Sequence, residues 1–301
     1  MLKRRTDLAA EARELWTQSA AEGAALEGVE VREEHREGFP VTTVRILDAR
    51  GTEALGKPEG TYVTLELSGL LRREEEAFPR AVRALAGELS ALTGLEPGAP
   101  ALVVGLGNRA ITPDAVGPKA ADHTLVTRHL VEREPVHFGS FRPVAALAAG
   151  VLGTTGVESG ELVAALVEKL RPGCVIAVDA LASRSLDRVC RTVQIADTGI
   201  VPGSGVGNHR FALNRETLGV PVVAVGVPTV VDAATLAADL LAEAGRDDLD
   251  PAALRGAGEG LYVTPRDIDA QVADLSKVIG FGLNLALQPH LSLEDVELLL
   301  S

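Results

Sequence analysis

Four stretches of this chain are apolar, or nearly so, from end to end: residues 101–107 (ALVVGLG), 174–181 (CVIAVDAL), 192–199 (TVQIADTG) and 221–228 (PVVAVGVP). A strand with one wet face alternates polar and apolar residues, so strands like these must be covered on both faces. They belong inside a parallel or mixed sheet with helices packed on either side. The segments between them supply the helices. Residues 74–92 form a long one, ended by Thr93-Gly94, and 159–170 and 232–244 form two more. Thr264-Pro265 starts another that runs to about Ile279, proline being tolerated in the first turn. The tail after Pro289 reads as a short amphipathic helix, and residues 6–25 as an N-terminal one, with Leu8, Ala12, Leu15 and Trp16 at helical spacing. Ahead of the long helix, VEVREE, VTTVRIL and TYVTLEL alternate and are separated by Gly-containing turns. The expected fold is therefore α/β, a mixed and mostly parallel sheet covered by helices, with an N-terminal β elaboration.

Charge and cysteine content narrow the function. Lys plus Arg number 29 against 42 Asp plus Glu, a net charge of −13. That field disfavours nonspecific binding to nucleic acid or to an anionic membrane. Aromatics are only 3% of residues, so the core is aliphatic. Cys174 and Cys190 are too few for a disulfide framework or a four-thiolate zinc site. Both sit in apolar surroundings and are expected as buried, reduced thiols. No 18-residue apolar stretch and no secretory signal is present, so the chain reads as cytosolic.

Several motifs look like familiar chemistry and do not meet its requirements. ALVVGLGNRA is a strand followed by G-x-G-x-x-A, but Pro113 and Gly117-Pro118 interrupt the helix that a dinucleotide site needs directly after its turn. PGSGVGN at 202–208 lacks the Walker lysine and reads either as a tight loop or as a loop that touches substrate. Ser204 has no G-x-S-x-G context. The six histidines are singletons without HExxH, so no metal and no cofactor is expected. Carboxylates are more informative. Asp179 closes the strand that begins at Cys174, and Asp114 lies in the loop after the strand that begins at Ala101. Loops at the carboxyl ends of strands in an open α/β sheet converge on the ligand crevice. Two aspartates there can share a proton and activate water. The structural alternatives stay open: a turn cap for Asp114, and a helix cap or an ion pair with Arg184 for Asp179. Asp197 is a third candidate on the same argument.

The strings GLGNRAITPDAVGP, LVTRHL, GVLGTTGVES, VIAVDALASRS, QIADTGIVPGSGVGN, GVPTVVDA and YVTPRDID occur in this order. Together they resemble the germination protease (spore protease) family of spore-forming bacteria. The resemblance runs from RTDLAAEA at Arg5 to GLNLAL at Gly282. It implies an endopeptidase that degrades small acid-soluble spore proteins at germination, cutting after Glu or Asp and before a hydrophobic residue. It also implies a fold like that of the hydrogenase-maturation proteases, a self-processing zymogen, a homotetramer, and a place in the cytoplasm of the forespore or spore core. The family's two catalytic aspartates carry over to Asp114 and Asp179. Within the same resemblance the substrate-contacting residues are expected among Gly107, Asn108, Arg128, Arg184, Ser204 and Gly205. Peptide N–H groups of GLGN or PGSGVGN are the candidates to hold an oxyanion.

An acidic enzyme that reads acidic residues needs local positive charge, for which Arg109, Arg128, Arg184, Arg188 and His123 are the nearby groups. Arg5-Thr6-Asp7-Leu8-Ala9 sets acid, apolar and Ala across one bond, so self-processing is expected between Asp7 and Leu8. Residues 1–7 then form a propeptide-like segment and 8–301 a single protease domain. Arg4 stands where the family's substrates carry an acid, and the segment is short. Two alternatives remain at this point: a metal-assisted peptidase at the same carboxylates, and a nonproteolytic maturation chaperone on the same fold.

Overall fold

The computed structural model describes residues 6–19, 26–203, 211–245 and 260–301, in which nine strands form one sheet. They are β1 (Val29–Arg36), β2 (Phe39–Ile46), β3 (Gly60–Glu66), β4 (Ala101–Leu106), β5 (Val144–Gly150), β6 (Cys174–Ser183), β7 (Thr192–Ala196), β8 (Val222–Asp232) and β9 (Tyr262–Val263). The order is β1-β2-β3-β7-β8-β6-β4-β5, with β9 paired to the far end of β8. The block β8-β6-β4-β5 is parallel throughout. The block β1-β2-β3-β7 is antiparallel and joins it through the antiparallel pair β7-β8. The expected α/β class with a mixed sheet is what forms.

The expected N-terminal β elaboration is built into the main sheet, since β3 pairs with β7. Two details differ from expectation. β5, with the sequence VAALAAG, was not anticipated, since alanine weakens the strand signal. β6 runs past Asp179 to Ser183, so that aspartate sits within a strand and is not at its end.

The two faces of the sheet are covered differently. On one, the helices Ala77–Thr93, Val116–Asp122 and Ile268–Leu287 pack over Val103, Ile176, Val178, Val193, Ile195, Val223 and Val225 as one continuous core. Alternation sends the intervening residues to the opposite face. There the cover is in two parts. The helix Ser159–Leu170 lays Val163 and Val167 on Leu102, Val104, Val175 and Ala177. The helix Ala9–Ser19 contributes Ala9, with Ala12 and Trp16 at its margin, to a cluster on Val44, Ile46, Tyr62 and Ala196. Between these clusters lies a row of three residues in register, Asp179 of β6, Gly226 of β8 and Gln194 of β7.

The helix Ile268–Leu287 fixes the loops above the sheet through buried polar side chains. Asn284 accepts from Leu125 N at 2.8 Å and donates to His123 O at 2.8 Å. Ser276 Oγ donates to Val116 O at 3.3 Å. This helix runs eight residues beyond the expected stop at Ile279. Gly280 and Gly282 look like breakers in sequence, yet they allow close approach: a methyl at Gly282 would fall 2.9 Å from Leu85 Cδ2. Close helix packing offsets the roughly 1 kcal/mol that a helical glycine costs.

Candidate active site

The site is built where β4 and β6 end their pairing at Gly105 and Val178. After β4 the chain turns at Gly107, whose φ of +105° is open to glycine and strained for other residues. Asn108 Oδ1 accepts from Ala110 N at 3.0 Å, a local side-chain turn. The chain then returns as the short 3-10 turn Thr112–Asp114, with Pro113 in its first positions. Asp114 is aimed back at the turn it came from. Its Oδ2 accepts from Asn108 N at 2.8 Å, and a methyl on Gly107 would lie 2.9 Å from its Oδ1. The turn is pinned to the long helix, as Thr112 Oγ1 donates to Asp269 Oδ1 at 2.7 Å.

Gly117 lets the chain that carries Asp114 pack onto β6 at Val178, the residue before Asp179. This glycine opens the helix Val116–Asp122, and a methyl on it would overlap both Leu106 O and Val178 O. Only a residue without a side chain lets the helix sit on the junction of β4 and β6. The Thr112–Asp114 turn in consequence packs against β6 and β8. Asp179, next to Val178, is 5% exposed, and its Oδ1 accepts from Ala180 N at 2.9 Å. Neither a helix cap nor an Arg184 pair accounts for it: the strand continues, and Arg184 Nε bonds Asp239 Oδ2 at 3.0 Å. Asp197, the third candidate, accepts from Thr61 N at 2.7 Å and ties β7 to β3.

The basic residues near the motifs have partners of their own. Arg128 pairs with Glu132 one turn along its helix at 2.7 Å. Arg109 Nη2 donates to Asp122 Oδ1 at 2.9 Å and to Pro118 O at 3.2 Å. Arg188 binds Glu14 and stands 3.7 Å from Glu11. His123 lies edge-on to Phe281, and burial, helped by the Lys277 charge, holds its imidazole below the ordinary histidine value. Ser204 and Gly205 lie outside the described residues. Among the described residues no three His, Cys, Asp or Glu side chains group as a metal site.

What sequence reasoning missed is the place of the N-terminal segment. Asp7 N donates to Ala182 O at 3.0 Å, and Asp7 Oδ2 accepts from Ala182 N at 2.9 Å, three residues beyond Asp179 on the same strand. Gln194 Nε2 donates to Asp7 O at 3.2 Å, and its Oε1 accepts from Ala9 N at 2.7 Å. Leu8 and Ala9 are fully buried. Glu11, also buried, accepts from Arg184 N at 2.8 Å and Ser185 N at 3.1 Å. Burial lowers the Lys57 amine from its ordinary value, while the charges of Asp7 and Glu11 act the other way. No local motif marks Gln194 or Lys57, because their relation to residues 7–11 is made by contacts far apart in the chain.

The fold and this geometry can be set beside known proteins. The family model described as germination protease matches residues 9–247. A germination protease of Caldanaerobacter subterraneus subsp. tengcongensis is 43% identical over 321 residues, covering 98% of this chain and 98% of its own. One from Clostridium perfringens is 43% identical over 323 residues, covering 97% of each. One from Bacillus cereus is 38% identical over 351 residues, covering 97% of this chain and 95% of that one. A solved structure, a nickel–iron hydrogenase maturation protease from Thermococcus kodakarensis, aligns at 18% identity with a TM-score of 0.36, over 65% of this chain and 98% of that one. No described helix is long and apolar enough to cross a membrane. On the family model and the near full-length identities, the chain belongs to the germination protease family.

Proposed function

We propose that this protein is an endopeptidase acting in spore germination on small acid-soluble spore proteins, and that Asp114 and Asp179 carry out the hydrolysis. The observation that supports the reading is the close packing of Gly117, three residues after Asp114, on Val178, the residue before Asp179, in a chain of this family. One carboxylate, ionised, takes a proton from the attacking water. The other, protonated, gives its proton to the peptide carbonyl or to the leaving nitrogen, so the pair ends the cycle with the proton count it began with. Two close carboxylates favour this division, since a shared site holds one proton more tightly than either group alone.

The cut falls after an acidic residue and before an apolar one, and the enzyme is a homotetramer of the spore core without a cofactor. It is made as a zymogen in which residues 1–7 are removed by cutting the Asp7–Leu8 bond. The residues flanking that bond are held against β6 and β7, which supports self-processing within the fold. Incubation with a small acid-soluble spore protein, read by mass, tests the activity. Fragments ending in Glu or Asp are expected, with the yield unchanged by exhaustive chelation. An undigested substrate bound by the protein would favour a chaperone, and activity lost on chelation and restored by a metal would favour a metal-assisted peptidase. Intact mass that retains residues 1–7 after acid incubation would contradict self-processing.

A further inference from the structure

β7 reads Thr-Val-Gln-Ile-Ala, and Gln194, within it, is a polar side chain placed among apolar ones. Val193 and Ile195 join the continuous core, so Gln194 faces the divided side of the sheet, where it is 8% exposed. A buried amide must be hydrogen-bonded. Here both ends of the amide find their partners on one segment, Asp7 O for the donor and Ala9 N for the acceptor. These two contacts bracket the Asp7–Leu8 peptide bond, from the carbonyl before it to the second amide after it. The same row of the sheet carries Asp179, with Gly226 between them, over which the Leu181 side chain lies. Two strand spacings separate the Cα atoms of Gln194 and Asp179, ~10 Å in all. The acidic residue of the segment is taken by the main chain of Ala182, on the strand of Asp179.

We propose that Gln194 is a substrate-binding residue: its side-chain amide seats the main chain on both sides of the bond to be cut, while the Ala182 main chain takes the acidic residue ahead of that bond. The inference rests on the reading of this chain as a peptidase that cuts after an acid. The Asp7–Ala9 segment is the site's own occupant, and the ligand class is an extended peptide with an acidic residue, an apolar residue and then alanine. Each element of that class has a physical counterpart. The Ala182 N–H receives the carboxylate, and Leu8 and Ala9 are fully enclosed. Nε2–H is directed at the carbonyl oxygen, where negative charge develops as water adds. Removal of residues 1–7 takes away the Asp7 O partner of Nε2, and Oε1 is released only when Leu8 and Ala9 also withdraw; a peptide arriving from outside then restores both hydrogen bonds.

The test is a cycle between enzyme and substrate. Protein from which residues 1–7 have been removed is assayed on a Glu-Ile-Ala peptide and on its partner methylated at the alanine nitrogen, which removes the N–H that Gln194 Oε1 would accept. For the wild type, methylation is expected to lower kcat/KM by about tenfold or more, one hydrogen bond's worth. For Gln194→Ala, cleavage is slower and methylation has less than about a threefold further effect. Gln194→Glu, of the same shape, keeps the acceptor and loses the donor. It is expected to stay sensitive to methylation while kcat falls by about a hundredfold. Equal methylation penalties in the wild type and Gln194→Ala would overturn the assignment and leave the peptidase reading intact. A wild-type enzyme that cuts neither peptide would overturn that reading, and this inference with it.

Discussion

One face of the sheet is sealed and the other is divided. On the sealed face three helices meet in a single aliphatic core in which Leu85, Leu275 and Ile279 have no exposed surface. On the divided face two smaller covers, one led by Ser159–Leu170 and one by Ala9–Ser19, leave a row of Asp179, Gly226 and Gln194 between them. The contrast separates two tasks. The continuous core holds the strands at fixed spacing, and the gap is where a backbone other than the sheet's own can approach. In this structure the chain's N-terminal segment lies there. Gly117 sits at this boundary, packed against Leu106 O and Val178 O at the end of the β4–β6 pairing.

The largest expected effect tests the sealed face. Leu275→Ala removes a fully buried side chain where neighbours cannot collapse, and should cost about 2–5 kcal/mol by denaturant unfolding. An effect under 1 kcal/mol would mean that this core is not the rigid half of the molecule. Next comes the boundary. Gly117→Ala forces a methyl onto Leu106 O and Val178 O, with a cost of about 1–3 kcal/mol and a loss of peptidase activity larger than the stability loss explains. Gly87, in the helix Ala77–Thr93, has open space around it, so Gly87→Ala is the control. It should stabilise by about 0.5–1 kcal/mol and leave turnover unchanged.

A last effect is read by pH. Cys174 and Cys190 are buried, and desolvation pushes their thiols up to about 11 and about 12. Their ordinary value is 9.0, so above pH 9 the unfolded chain loses protons that the folded chain retains. Stability should therefore fall as pH rises from 9 toward 11, by up to about 1.4 kcal/mol per thiol per pH unit. The slope should become shallower in a Cys174→Ala/Cys190→Ala double variant, which keeps the contribution of Tyr62, whose phenol burial also holds above its ordinary value. A slope unchanged in that variant would place the alkaline sensitivity elsewhere.

The comparison of faces also shows what the sequence makes legible. The strands of the sealed core announce themselves, since β4, β6, β7 and β8 are apolar on both sides and cannot be anything but interior. The two aspartates are legible for a related reason, because a charge that interrupts or follows such a run has to be explained by the edge of the sheet or by chemistry. β5 is not legible, as Val-Ala-Ala-Leu-Ala-Ala-Gly carries little β preference and pairs only because β4 offers it an edge. The true length of the helix Ile268–Leu287 was hidden by Gly280 and Gly282, whose role appears only once His123 and Leu85 are seen against them. The arginines illustrate the opposite error. Charge and proximity in sequence suggest substrate contacts, yet Arg109, Arg128, Arg184 and Arg188 all have carboxylate partners of the chain itself. Gln194 had no signal at all, since a glutamine in a strand becomes informative only when residues 185 and 187 positions away are found on its amide.

The central claim is that the carboxylates on the edge of the divided face perform peptide hydrolysis. It is tested most directly by comparing the wild type with Asp114→Asn and Asp179→Asn on a Glu-Ile-Ala peptide, with thermal melts run alongside. The account predicts cleavage between Glu and Ile by the wild type, and a fall in kcat/KM of about 10²–10⁴-fold in each variant with the fold retained. Wild-type turnover by either folded variant would contradict it.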